Sequence, residues 1–290
     1  YGHLHLGILG EIAHEPTEQV LRHYDEALVV FDELGDDAGR ARAYRALAKY
    51  QLGSGKPEVA SSLNQKALGV VEALRDAEGV VECLVALGHS KLAEHDLEEA
   101  RRYFESAQQK AVQGEFRLVV AEAIEGLGEV AEMEGDNDSA ETFYREAHQL
   151  GTAIGSQVGQ VAGVRLALLL LEQRQFTPAR QTLVETREAI LAGTLPQIAQ
   201  FFSAGLMACA AHARDEQLFD DVHREIRGLL RQTPSPDVRV PETAFLAGRL
   251  WAEEGDRMRA RKAFDVARNV FLALGEGQQA DAVAIAIGRL

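Results

Sequence analysis

Cysteine is nearly missing from this sequence: Cys83 and Cys209 are the only two in 290 residues. Two isolated thiols supply neither a disulfide framework nor a Cys-x-x-Cys metal pair, which suits a reducing compartment. A cytoplasmic location is expected on that ground, and Cys83, on the packed face of its helix, reads as structural rather than catalytic. Long apolar runs are missing too, so no transmembrane span or signal peptide is visible and no membrane partner is expected. Basic charge is in deficit, with 30 Lys and Arg against 45 Asp and Glu, a formal net charge of −15. That excess of negative charge opposes attraction to phosphate backbones, so direct nucleic-acid binding is not expected.

Catalytic signatures are equally scarce. There is no Gly-rich phosphate loop, no HExxH and no Cys/His metal array. His3 and His5 lie close together, with His14 further along, but an HxH pair alone is a weak metal signal, and neither a metal nor a cofactor is expected. Carboxylates are abundant, yet acid–base work needs an apolar setting that shifts one pKa. The run from Glu122 to Glu132 reads as exposed and uniformly ionised, so the chain is not expected to be an enzyme. Proline is limited to 7 residues. Pro57 and Pro178 suit the first turn of a helix, with Thr177 as an expected N-cap. The Pro-rich segment Thr233–Pro241 reads as an extended connection, either a hinge or a surface loop.

What the chain does have is a repeat. Ala48, Gly88, Gly128, Ala167, Gly248 and Gly288 follow one another at about 40 residues or a multiple of that, a period that signals a stacked architecture. Ala60, Ala100, Ala140, Ala179 and Ala260 each come twelve residues after the small residue of their own unit. Phe104, Tyr144, Leu183 and Phe264 follow four residues later, and Ala107, Ala147 and Ala267 three beyond those, the i, i+4, i+7 advance of an amphipathic helix. Tyr24 and Ala27 extend the series towards the N-terminus. Each unit is therefore a pair of helices, in which a small residue on the first lets the second approach and an aromatic fills the space towards the next pair.

On these residues the chain resembles the tetratricopeptide repeat family, whose unit carries small residues at its eighth, twentieth and twenty-seventh positions and an aromatic at its twenty-fourth. Leu47-Ala48, Leu87-Gly88, Leu127-Gly128 and Leu166-Ala167 are similar to the family's Leu-Gly pair. Gly135-Asp136 and Gly255-Asp256 are similar to its inter-helix turn, and Trp251 sits where the first helix often has an aromatic. The 40-residue step resembles the longer-helix variant of kinesin light chains and large bacterial signalling regulators. Two departures stand out: Asn64 replaces the aromatic of the second unit, and the sixth unit, around Leu206 to Leu230, fits only loosely. The resemblance implies an all-α fold, a right-handed α-solenoid superhelix of about seven antiparallel helix pairs plus a final single helix. One repeat domain over 1–290 is expected, read as a piece of a longer protein. Its units fall near 1–35, 36–75, 76–115, 116–155, 156–194, 195–235 and 236–275, with 276–290 a partial eighth whose helix begins near Asp281.

In that family the concave surface formed by the first helices is the usual peptide-binding face. Carried over by position, the groove would hold Arg42, Arg45 and Lys49 in the second unit, Glu82 and His89 in the third, and Glu122, Glu125, Glu129 and Glu132 in the fourth. Like charges three or four residues apart cost roughly 0.2–0.5 kcal/mol per pair, a repulsion that a basic partner segment would relieve. Equally, the charges read as a solvated face with cross-groove ion pairs such as Arg42 to Glu82. In the fifth and sixth units Val161, Val164, Leu168 and Leu171 occupy groove positions, followed by Phe201 or Phe202 according to register. They form either an apolar anchor site or internal packing. The leading expectation is a non-catalytic domain that binds a protein or peptide segment in its groove, as the scaffold or sensor part of a larger signalling regulator. Two alternatives are a small-molecule sensor of a nucleotide-dependent switch protein or transcription regulator, and a self-assembly module.

Overall fold

A computed structural model describes residues 1–12, 16–192, 196–233 and 237–290, with side chains described for all of these except 12, 188–192, 196 and 197. Fifteen helices and no strand occur among the described residues. They run as seven pairs: α1 (Gly2–Ile12) with α2 (Thr17–Leu34), α3 (Asp37–Gly53) with α4 (Pro57–Ala73), α5 (Ala77–Ala93) with α6 (Leu97–Gln113), α7 (Arg117–Glu134) with α8 (Asn137–Ala153), α9 (Gln157–Glu172) with α10 (Phe176–Ala192), α11 (Pro196–Ala213) with α12 (Glu216–Gln232), and α13 (Arg239–Glu253) with α14 (Arg257–Leu274). A last helix, α15 (Gly277–Gly288), stands without a second member and begins before Asp281. Short turns within the pairs make their helices antiparallel neighbours. The chain is an α-solenoid of antiparallel helix pairs, divided into two compact units, Tyr1–Leu150 and Gly151–Leu290.

The turns follow from a few residue types. Gly135 and Gly255 adopt φ of 79° and 81°, the left-handed conformation that ends a helix without a Cβ clash. Asp36, Asp76, Asp96, Asp215 and Asp256 then cap the following helix, each accepting a hydrogen bond from the backbone N–H three residues on. Asp136 does the same for Ser139. At equivalent turns the chain forces Arg75, His95, Glu115, Arg174 and Arg214 into positive φ. Pro57 opens α4 as its first residue, but Thr177 is not a cap: α10 already begins at Phe176, whose buried ring stacks on His212 with centroids 4.0 Å apart. Of the Pro-rich segment, 234–236 lie outside the described residues, while Arg239 and Pro241 already belong to α13.

Packing within a pair rests on the small-against-aromatic register. Phe104 is fully buried between two glycines, Gly88 of its own pair and Gly126 of the next. A Cβ on Gly88 would fall 2.6 Å from the ring and one on Gly126 would fall 2.4 Å from it, so both glycines lie tightly against the Cδ1, Cε1 and Cζ atoms of the ring. Burying such a side chain contributes roughly 1.5–3 kcal/mol, and repeating it in most of the pairs gives stability by nearest-neighbour stacking. Where Asn64 replaces the aromatic, its buried amide donates to Ser90 Oγ at 3.3 Å, and Ser90 in turn donates to the Ala86 carbonyl at 2.9 Å. A polar contact between pairs takes the place of the ring.

In the first unit each first helix also touches the next, α1 on α3, α3 on α5 and α5 on α7. In the second unit α9 touches both α11 and α13, and α11 packs along α13. The three first helices of that unit are gathered around a shared interior, which is where the loosely fitting sixth pair departs from the pattern of the others. Both cysteines are buried, and burial pushes the Cys83 thiol up to about 11 and the Cys209 thiol up to about 12, so neither is a nucleophile at neutral pH.

Candidate partner-binding face

Successive first helices bring charged side chains together on one side of the Tyr1–Leu150 unit. Arg45 of α3 donates to Glu82 of α5. Glu122 of α7 lies near the same pair. Burial pushes its carboxyl above the ordinary glutamate value and the Glu82 charge adds to the rise, while Arg45 and Lys49 act the other way. Arg45, Lys49, Glu82 and Glu122 thus share one electrostatic neighbourhood spanning three helices. Two turns further along, His89 places Nδ1 3.9 Å from Glu129, and its ring meets Phe104 edge-on with centroids 5.1 Å apart.

Several details differ from the sequence reading. Glu82 pairs with Arg45, not with Arg42, because adjacent helices are staggered by about one turn, so contacts fall 37 residues apart at this point. Arg42 lies instead over the Tyr1 ring, 5.8 Å from its centroid. Both Arg42 and Lys49 are exposed, and neither makes an ion pair among the described residues. The glutamates of α7 are not a uniformly solvated stripe. Glu125 is buried at 7% exposure, Glu122 and Glu129 are half-buried, and Glu132 accepts a hydrogen bond from the buried Tyr144 hydroxyl of its own second helix. The cause is that α7 packs against α5 and α6 and Tyr144 reaches Glu132 from α8, so carboxylates spaced for an open face are partly covered.

The apolar positions of the second unit close up. Val164, Leu168, Leu171 and Phe202 are each 4% exposed or less, because α11 and α13 cover this side of α9. They form internal packing, and the register choice resolves with Phe202 inside and Phe201 half-exposed. The Phe201 ring lies under the Arg239 guanidinium at 5.3 Å, and the same arginine donates to Asp237 at 2.8 Å. Burial alone would push the Asp237 carboxyl up, but the hydrogen bonds and charge of Arg239 overcome it and hold the group below the usual range. Sequence reasoning missed this Arg239–Asp237 clasp, since it depends on where the turn between the sixth and seventh pairs is laid down.

This geometry is that of a tetratricopeptide repeat. The sequence model of the tetratricopeptide repeat family matches residues 81–153, from α5 through α8. The sequence match to that family is confined to this segment, and the same helix-pair architecture continues on both sides of it. No curated protein matches it in sequence. Among solved structures, RapI in its apo form is 12% identical with a TM-score of 0.68, over 95% of this chain and 98% of that one. The Rap regulator of conjugation genes from plasmid pLS20, solved with its Phr peptide, is 16% identical with a TM-score of 0.68, over 96% of this chain and 75% of that one. A signal transduction ATPase with numerous domains and a tetratricopeptide repeat sensor, from Pyrococcus horikoshii, is 14% identical with a TM-score of 0.64, over 98% of this chain but 43% of that protein. At these identities the likeness is one of fold. No helix of the described residues is long and apolar enough to cross a membrane.

Proposed function

We propose that this chain is a non-catalytic interaction domain that holds an extended segment of a partner protein or peptide against the face formed by α3, α5 and α7. The observation that carries the reading is the Arg45–Lys49–Glu82–Glu122 neighbourhood, in which a half-buried carboxyl is pushed towards its neutral form beside a second carboxylate. A lysine or arginine from a partner would favour the charged form of Glu122 and offset its burial, which rewards binding of a basic side chain at this point. At the α3 end the exposed Arg42 and Lys49 suit an acidic side chain or a terminal carboxylate. The preferred ligand is therefore a segment with opposite charges at its two ends, laid across the three helices. Because stacked helices are ordered before binding, the ordering cost falls on the ligand.

Fold relatives support the class of ligand: a Rap protein has been solved with the competence and sporulation factor, and another with its Phr peptide. The relative with a tetratricopeptide repeat sensor supports a role as the sensing or scaffold part of a larger regulator. In this reading residues 1–290 act as one repeat domain. Selection of peptides from a random displayed library tests the proposal. Binders should carry separated acidic and basic positions, and Arg42→Glu combined with Lys49→Glu should weaken them by at least ~10-fold with helical content unchanged. Selected peptides that bind the double variant as tightly as the parent would refute it.

A further inference from the structure

His3 and His5 look like a pair in the sequence, but a helix sends them in different directions, and His3 turns to α2. Its Nδ1 lies 3.0 Å from Glu26 Oε2. His23, one turn before Glu26 on α2, has its own Nδ1 3.8 Å from the same oxygen. The three ligand atoms all lie within 4.8 Å of one another. Two ligands of a tetrahedral ion at 2.0–2.2 Å stand roughly 3.4 Å apart, so surface side chains moving by less than about 1 Å each would close on a single ion.

Two further observations separate this group from a chance cluster. His23 Nδ1 is shut off from solvent and has no hydrogen-bond partner, which is unusual for a buried polar atom and leaves it available as a ligand. Arg22 Nε donates to the other oxygen of Glu26, Oε1, at 3.0 Å. That contact turns Oε2 towards both imidazoles, the outer-shell orientation that metal-binding carboxylates need. The backbones beneath are held by packing, since Leu4, Tyr24 and Ala27 are buried between α1 and α2.

We propose that His3, His23 and Glu26 form a binding site for one zinc-class divalent ion, joining α1 to α2. Two imidazoles and one carboxylate are a donor set suited to zinc, cobalt or nickel and poor for calcium or magnesium. The His3 side chain is 46% exposed, so the fourth position opens to solvent and takes water. The site would pin the first helix pair, and it stands independently of the peptide reading, which concerns α3, α5 and α7.

The test is titration of the tag-free, EDTA-treated chain with cobalt(II) alone, followed by zinc(II). The expected result is a saturable visible absorption band at one equivalent, bleached by zinc. His23→Ala and Glu26→Gln should each weaken binding at least ~10-fold, while His5→Ala leaves it unchanged. Zinc should raise the melting temperature of the parent and not of His23→Ala, with circular dichroism checking that the variants fold. No band at one equivalent, loss of binding in His5→Ala, or full binding in His23→Ala would each overturn the proposal.

Discussion

Replacing Gly88 with alanine puts the clamp around Phe104 to the test. Alanine is the better helix former by about 0.8–1.0 kcal/mol, so an open site would gain. At Gly88 the new Cβ falls 2.6–2.8 Å from three ring atoms of Phe104. Gly126 also lies against this ring, closely enough that a Cβ there would be 2.4 Å away, which limits where the ring can shift. Overpacking of this kind costs about 1–3 kcal/mol, and with the helix gain subtracted the net loss is up to about 2 kcal/mol. Gly69 is the control: it lies in α4 with nothing within 4 Å of where a methyl group would stand, and alanine there should stabilise by about 0.5–1 kcal/mol. Thermal and urea unfolding followed by far-ultraviolet circular dichroism would show opposite signs for the same chemical change. At about 2–4 °C per kcal/mol, a loss at the upper end of that range should lower the Gly88→Ala midpoint by roughly 4–8 °C. Phe104→Leu should recover part of that loss in the double variant, a coupling of about 0.5–3 kcal/mol. Gly88→Ala as stable as Gly69→Ala would refute the clamp.

Other expectations follow from single groups. Burial and Glu82 raise the Glu122 carboxyl above 4.5, so the folded state binds this proton more tightly than the unfolded chain. Stability from this group is full below 4.5 and falls as pH rises through the folded value. Glu122→Gln should therefore be more stable than the parent at pH 7 and equal to it near pH 4, as measured by urea midpoints. Asp96 accepts from Glu99 N–H at 3.2 Å, and Asp96→Ala should cost about 1 kcal/mol, whereas Asp96→Asn should cost much less. His95 is held at φ 60°, and His95→Gly should raise the unfolding free energy by up to about 1 kcal/mol.

The helix pairs were legible in the sequence because they arise from a relation between residues sixteen apart on two adjoining helices. A small residue such as Gly88 and a ring such as Phe104 must meet wherever the turn between them is short, and Gly135-Asp136 marks such a turn directly. That relation repeats with the chain, so periodicity exposes it. Charge exposure is not of this kind. Whether Glu125 sees solvent depends on helices packed from other repeats, and a stagger of one turn decided that Arg45 rather than Arg42 holds Glu82.

The sequence by itself determined that this protein is a stack of helix pairs and which small and aromatic residues meet within each regular pair, since those follow from spacing and turn chemistry. Only the tertiary structure decided which outward positions form a surface. It buried Val164, Leu168, Leu171 and Phe202 by bringing α9, α11 and α13 together, and it gathered Arg45, Lys49, Glu82 and Glu122 from three helices. It also set His3 beside His23 and Glu26. The physical reason is that helix periodicity specifies direction from an axis, whereas solvent exposure and charge proximity depend on the distance and stagger between axes, which no single helix encodes.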